Sequence, residues 1–410
     1  MSLPRASVVI VSRHRAAALR RCVLGLRQSD HPQMELIVVA DPAGLAALGE
    51  GPWKAVAFDV PNISAARNLG LDVAAGDVVA FLDDDAVPEP TWLSRLAAVF
   101  ADPRVAAAGG FVRGRNGISY QWRAMEVDRT GADHPLEIAG SGPVLRAGDA
   151  TRAVKTQGTN CAFRRSALMQ IGGFDPAYAF YLDEADVNLR LAAQGHLTAI
   201  VPGAEVHHGF LESAHRAADR TPLTLFDIGA SSAVFLRRHA PEAEWHPALD
   251  RVRREQAARL AGHAARGRLY PTQIRALTET LEAGITAGLG RALDGLAPRT
   301  DALPPFLALP GTGPRPGCLL AGRVWSRKRL AAEATRRAGQ EIVTVLCLSP
   351  TARPHRMRFA EGGYWEQSGG LFGRSDRTGP RLRWRSFARR VRDEAVRLAR
   401  VRPIDRTPAG

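Results

Sequence analysis

Along residues 6–112, unbroken apolar runs alternate with stretches whose apolar residues recur every three to four positions. The runs at 6–12, 35–39, 56–59, 78–82 and 105–112 lack the polar alternation of a half-exposed strand. Parallel strands buried on both faces leave that pattern. The stretches at 15–27, 64–75 and 90–101 have helical spacing, with Leu19, Cys22, Val23 and Leu26 on one side of the first. The order predicts an α/β fold with a mostly parallel sheet. From 113 to 156 the periodicity fades and Gly, Pro and Asp accumulate, which reads as a functional loop region. Regular pattern returns as a strand at 160–163, a helix at 165–171, the turn Gly172-Gly173-Phe174-Asp175-Pro176, a helix at 183–194 and a strand at 198–201. Beyond Phe210 the spacing is helical at 223–239, 247–265 and 272–293. The Pro- and Gly-rich stretch 297–316 reads as a linker. After it, 318–321, 326–338 and 342–348 give strand, helix and strand. The expected organisation is an α/β domain over 1–210, a helical region over 211–296, the linker, and a small α/β or irregular module over 317–410.

Composition narrows the class. A chain of 410 residues at 45% hydrophobic and 23% charged has enough apolar content to exclude disorder as its main state. No apolar run approaches the roughly 20 residues that span a bilayer, and the first residues lead into a strand without a signal-peptide stretch. Cys22, Cys161, Cys318 and Cys347 are scattered, without CxxC spacing. That pattern argues for free thiols in a reducing compartment, so a cytoplasmic location is expected.

The net charge of +14 is unevenly placed: residues 1–210 are close to neutral and the excess, almost all arginine, follows them. Within 381–402, Trp384, Phe387, Val391, Ala395 and Leu398 fall at helical spacing among arginines. Such a helix can lie on an anionic membrane, making the protein peripheral at its inner face, or can pack its stripe on the core. The region has charge but no nucleic-acid-binding module, which argues against nucleic acid as the partner. The glycine- and aromatic-rich stretch 349–370 reads as a second ligand site or an irregular edge.

The sharpest chemical feature is Ala80-Phe81-Leu82-Asp83-Asp84-Asp85-Ala86-Val87-Pro88. Three adjacent carboxylates follow a buried strand, and open α/β sheets bind ligands outside the carboxyl ends of their strands. Crowded like charges need compensation, which Mg²⁺ or Mn²⁺ supplies while also holding a diphosphate. The bland reading is a solvated acidic turn before the next helix.

Upstream lies Asn62-Ile63-Ser64-Ala65-Ala66-Arg67-Asn68-Leu69-Gly70, then Ala74-Ala75-Gly76-Asp77. With Val8-Val9-Ile10-Val11-Ser12 and Val38-Val39-Ala40-Asp41, these blocks resemble the nucleotide-binding half of family 2 glycosyltransferases of the GT-A fold, a Rossmann-like architecture. Gly158-Thr159-Asn160-Cys161 and Asp183-Glu184-Ala185-Asp186 resemble the acceptor half, so the likeness covers about 6–210. The resemblance implies that Asp41 reads the nucleobase and that Arg67 stands near the donor diphosphate. It places Asp83 and Asp84 around the ribose and metal shell, with Asp85 as the direct metal ligand. His207 or His208 would complete the site, with His207 the expected ligand. Where the family often shows Thr-Tyr-Asn-Arg, this chain has Ser12-Arg13-His14-Arg15, so Ser12 and Arg15 take donor-side positions.

Asp183 and Glu184 open a helix, where acids are favoured by the dipole, and Asp186 with Arg190 forms an i, i+4 pair. By the resemblance, Glu184 is the general base, with Trp122, Gly158, Asn160 and Asp183 on the acceptor side. The expected function is an inverting, Mn²⁺- or Mg²⁺-dependent transfer of a sugar from a nucleotide donor, UDP-linked as first choice, to a hydroxyl of a glycan or lipid-linked acceptor. The alternatives are a nucleotidyltransferase and a sugar-nucleotide-binding protein without transfer.

Overall fold

The computed structural model of the chain describes residues 3–299 and 303–407. It opens with β1 (Ala6–Ser12), α1 (Ala16–Leu26), β2 (Met34–Ala40), α2 (Pro42–Leu48), β3 (Lys54–Ala57), α3 (Ile63–Asp72), β4 (Val78–Asp83), β5 (Ala86–Pro88), α4 (Trp92–Ala98) and β6 (Val105–Arg113). The stretch read as a loop contains short strands: β7 (Tyr120–Trp122), β8 (Met125–Asp128), β9 (Asp133–Pro135), β10 (Val144–Arg146) and β11 (Arg152–Lys155). Then come β12 (Cys161–Arg164), α5 (Arg165–Gln170), α6 (Asp183–Ala193) and β13 (Leu197–His208). Three helices follow, α7 (Phe226–His239), α8 (Trp245–Ala264) and α9 (Pro271–Gly290). The last group is β14 (Gly317–Arg323), α10 (Arg327–Arg337), β15 (Ile342–Ser349), β16 (Arg356–Ala360), β17 (Tyr364–Gly370) and α11 (Phe387–Leu398).

The central sheet runs β10-β13-β6-β12-β4-β1-β2-β3, with β12 and β10 opposing the direction of the others. Alternation along each strand splits the core into two layers. Val8, Ile10, Leu36, Val38 and Leu82 pack under α1 and α4. Val9, Ile37, Val39, Val79 and Phe81 pack on the other face, where residues of α3, α5 and α6 join them. Covering both faces is why these strands carry no polar stripe. The stretch 113–156 is not a structureless loop: β7 pairs with β6, β10 pairs with β13, and β8, β9 and β11 form a separate antiparallel sheet. None exceeds four residues, too short for a period to register.

Residues 349–370, left open between a site and an irregular edge, contain the whole antiparallel β16–β17 hairpin, whose β17 pairs with β15. The apolar stripe of α11 faces inward: Val391 and Leu398 are buried with Leu346, Phe359 and Trp365, and Phe387 and Ala395 pack beside them. The helix therefore does not offer these four residues to lipid, because the small sheet needs them as a cover; Trp384, the first residue of the expected stripe, lies before the helix and is exposed. No described helix is long and apolar enough to cross a membrane. The four cysteines are buried and unpaired.

The C-terminal sheet docks on the central one through polar contacts that sit out of water. Trp365 Nε1 donates to Gln28 Oε1 at 3.0 Å, and Gln28 Nε2 donates to the Gly363 carbonyl at 2.6 Å. Arg402, wholly buried, grips Glu89 with two guanidinium nitrogens and lies 3.9 Å over the Trp365 ring. Burial pushes the Glu89 carboxyl up, but Arg402 and His207 outweigh it and hold it at about 2. A depressed carboxylate contributes stability above its unfolded range and loses it only as pH falls toward that value, so this seam should survive mild acid. Arg402→Ala should destabilise the chain by about 3–5 kcal/mol by stranding the Glu89 charge. A second change, Glu89→Gln, should restore part of the loss, both read from urea midpoints.

Candidate active site

The carboxyl ends of β1, β2 and β4 open into a cleft of about 460 Å³. Its walls include Arg13, Arg15, Phe58, Asp83, Asp85 and His208. Because β5 begins directly after the aspartate triplet and pairs antiparallel with the end of β13, His208 stands opposite Ala86, next to Asp85. His208 Nε2 lies 3.1 Å from Asp85 Oδ1 and 3.9 Å from Asp83 Oδ2. One ligand atom from each of these residues falls within 4.8 Å of the others.

The three aspartates have different surroundings. Asp83 is 30% exposed toward the cleft. Asp85 is buried; its Oδ2 accepts from Leu211 N at 2.7 Å and from Arg15 Nη1 at 3.3 Å. Burial raises its carboxyl, but His208, Arg15 and the Leu211 amide together hold it well below the usual range. Asp84 does not reach the cleft, contrary to expectation. It is fully buried, accepts from Ser12 Oγ at 2.7 Å and pairs with Arg15 Nη2 at 2.6 Å. Burial pushes its carboxyl up to about 7. Asp84 thus anchors Ser12 and Arg15, which do line the cleft.

His207 is displaced from its expected place as well. Neighbours on a strand point to opposite faces, so only one of the two histidines can face Asp85. His207 turns away, with Nε2 2.8 Å from Glu89 Oε1 and its ring 4.9 Å from Trp365. It also belongs to a second acid–histidine group, Glu89–Glu205–His207. There Arg402 and Arg113 already neutralise the two carboxylates, so that group has no need of a cation.

Asp41 is not on the cleft wall. It caps α2, its oxygens accepting from His14 N at 2.7 Å and Gly44 N at 3.0 Å. The half-exposed acid beside the cleft residues Arg13 and His14 is instead Asp59, which accepts from Arg13 Nε at 2.7 Å and lies 3.2 Å from His14 Nε2. Nothing in its local sequence marks Asp59 beyond its place just after β3.

Arg67 joins the two acid clusters. Its guanidinium pairs with Asp183 and lies 3.8 Å from Asp83, sandwiched near the rings of Phe174 and Phe81. Burial opposes its charge, but Asp183 and Glu184 more than restore it. Gly158 packs directly against the Arg67 guanidinium: a Cβ there would fall 2.2 Å from Arg67 Nη2 and push it aside. Gly158 N also donates to Glu184 Oε1 at 3.3 Å. Burial raises Glu184, but a hydrogen bond from Asp183, then Arg67 and Lys155, hold it below its usual range; burial pushes Asp183 up. Trp122 stands nearby, its ring 5.6 Å from Lys155 Nζ. Asn160 does not face this region. It is an interior tie, accepting from Trp92 Nε1 at 2.7 Å and donating to the carbonyls of Phe111 and Ala204. Asp186 is structural too, clamped by Arg190 and His239.

The segment after β13 closes one side of the cleft and was not foreseen from sequence. Arg115 binds the carbonyls of Gly209, Phe210 and Ala218, and His215 stacks on Phe180 with centroids 4.1 Å apart. His14, Tyr181, Leu182, Phe210 and Arg220 have left-handed backbones. His14 lines the cleft, and Tyr181, Leu182 and Phe210 lie within two residues of cleft-lining positions, as expected where geometry is held for function.

Residues 7–172 match the family described as Glycosyl transferase family 2. Among curated relatives, the O-antigen biosynthesis protein RfbC of Myxococcus xanthus is 29% identical over 237 residues, covering 53% of this chain and 18% of that protein. The pre-mycofactocin glycosyltransferase of Mycobacterium tuberculosis H37Rv is 27% identical over 253 residues, covering 59% and 48%. The chain therefore spans less than half the length of either. Among solved structures, GalNAc-T7 with UDP, GalNAc and Mn²⁺ aligns at 18% identity and a TM-score of 0.44, covering 57% of this chain and 48% of the other. The family 2 segment contains the aspartate triplet, Arg67 and Gly158 but stops before Asp183, Glu184 and His208. The contacts through Arg67 and the β5–β13 pairing bring those later residues to it.

Proposed function

We propose that this chain is an inverting, metal-dependent glycosyltransferase that moves a sugar from a nucleoside-diphosphate donor, UDP-linked as first choice, to a hydroxyl of a glycan or lipid-linked acceptor. The observation that carries this reading is Arg67, one buried guanidinium touching both Asp183, beside Glu184, and Asp83, at the cleft. Two carboxylates and an imidazole suit Mn²⁺ better than Mg²⁺, which prefers an all-oxygen set. Asp83, Asp85 and His208 would hold the ion, which supplies Lewis-acid stabilisation to the departing diphosphate. Arg13 and Arg15, on the cleft wall, face the donor phosphates. Glu184, ionised and oriented by the Gly158 amide, takes the proton of the acceptor hydroxyl as its oxygen attacks the anomeric carbon. The new C–O bond forms as the bond to the diphosphate breaks on the opposite face, inverting the centre and releasing the nucleoside diphosphate.

The test is incubation with a panel of nucleotide sugars and Mn²⁺, measuring thermal stabilisation and the product released. Nucleoside diphosphate with an inverted anomeric centre supports the reading. Pyrophosphate release would point to nucleotidyl transfer, and stabilisation without turnover on any acceptor to a binding protein.

Peripheral contact with an anionic membrane is part of this proposal, on a different face from the buried α11 stripe. Trp325 and Trp384 are 75% and 76% exposed. Arg323, 4.7 Å over the Phe387 ring, links the segments that carry them. Trp325→Ser with Trp384→Ser should weaken sedimentation with phosphatidylglycerol vesicles by about tenfold, given the roughly 25 cal/mol per Å² of apolar burial.

A further inference from the structure

Along β13, Gly203, Glu205 and His207 alternate onto the face opposite His208. There they wall a cleft of about 720 Å³ between the central sheet and the C-terminal segment around Arg397 and Arg400. That volume is within the range of small-molecule sites, roughly 300–1,000 Å³. It shares neither Asp83 nor Asp85 with the donor cleft.

Its lining is cationic beyond what its own acids offset. Arg113 is held by Glu205 at 2.8 and 2.9 Å, with Asp376 3.8 Å away. Arg397 is paired with Glu394 at 2.8 Å, and Glu89 is taken by Arg402. Arg95, Arg123 and Arg400 also line the cleft, and among the described residues none has a carboxylate partner. Arg95 only donates to the Gly203 carbonyl at 3.2 Å, and Arg123 lies 4.8 Å over the Tyr120 ring. His207 Nδ1, on the same wall, is buried without a hydrogen-bond partner. Three guanidiniums without carboxylate partners, from α4, the segment after β7 and the turn after α11, thus line one cleft with an unused imidazole nitrogen, a lining short of negative charge.

We propose that this cleft is a second ligand site, for a diphosphate-bearing molecule other than the nucleotide in the donor cleft. Guanidinium forks match phosphoryl oxygens two at a time, and two adjacent phosphoryl groups can engage more than one free arginine. A single carboxylate would leave most of them unmatched. The site does not depend on the donor reading, since none of its free arginines touches the metal-ligand candidates.

The experiment is calorimetric titration of the full chain in EDTA with inorganic pyrophosphate and, separately, geranyl diphosphate. Arg123→Gln with Arg400→Gln should weaken both by at least tenfold, and Arg95→Gln alone should weaken them in the same direction. UDP binding in the presence of Mn²⁺ should be unchanged in these variants. Tighter binding of geranyl diphosphate than pyrophosphate would assign a lipid-linked source, and equal binding a soluble one. No binding by the wild-type chain, affinity indifferent to the arginine changes, or equal loss in Arg15→Gln would overturn the proposal. Failure of UDP to bind while pyrophosphate still depends on Arg123 and Arg400 would count against the donor reading alone.

Discussion

Asp85→Asn is expected to abolish the Mn²⁺ dependence of donor binding while leaving the chain folded. Asparagine keeps the shape of the side chain, and its carbonyl oxygen can still accept from Leu211 N, the contact that ties down the closing segment. What disappears is the charge that draws His208 and Arg15 to one point. With Asp84 committed to Ser12 and Arg15, only Asp83 and His208 remain to meet an ion. Loss of a preorganised electrostatic group at a site of developing charge costs about 10²–10³-fold in rate, and a loss of at least that order in kcat/KM is expected. Titration with UDP, with and without Mn²⁺, is the direct measurement. A variant whose UDP affinity still rises with Mn²⁺ as in the wild type would remove Asp85 from the metal site.

Glu184→Gln is expected to do the converse. UDP and Mn²⁺ should bind as before, because Glu184 reaches the metal-site candidates only through Arg67 and Asp183. Turnover should fall by about 10²–10⁴-fold, the usual worth of a general base. The pH profile adds a readout that a structural role would not move. Glu184 is held below the usual glutamate range, so its ionised form persists as pH falls through that range, and the acid limb of kcat should lie lower than for a free glutamate. Equal loss of donor affinity in Asp85→Asn and Glu184→Gln would refute the separation of metal holding from proton removal.

Both variants turn on residues whose type was legible and whose partners were not. The aspartate triplet and the Asp183-Glu184 pair stand out because each lies at the end or start of an element whose local pattern is strong, and Arg67 because it is the one charge between Asn62 and Leu71 in α3. The individual assignments within those groups are another matter. Asp84 and Asp85 are chemically identical neighbours, yet one anchors Ser12 and Arg15 beneath the cleft and the other meets His208. Asp41 has the acid type its position calls for, but its carboxylate is consumed by the backbone of His14 and Gly44. Asn160 reads as an acceptor-side residue and is an interior tie, because the indole of Trp92 lies against it.

The sequence by itself determined the doubly covered sheet, the carboxylates at a strand end, and the helix opening on acids. Apolar runs and helical spacing are local properties, and the hydrophobic effect acts on them wherever the partner comes from. Only the tertiary structure decided that β13 runs on through Pro202 and Gly203 to His208, since its later residues pair with β5 and β6, far away in the chain. The same holds for α11, whose stripe suits lipid and a protein core equally until β15, β16 and β17 are seen to need a cover. A side chain's face, and the charge it must balance, are set by what packs against it. In this protein those neighbours are often separated along the chain by a hundred positions or more, as Arg67 is from Asp183 and Glu89 from Arg402.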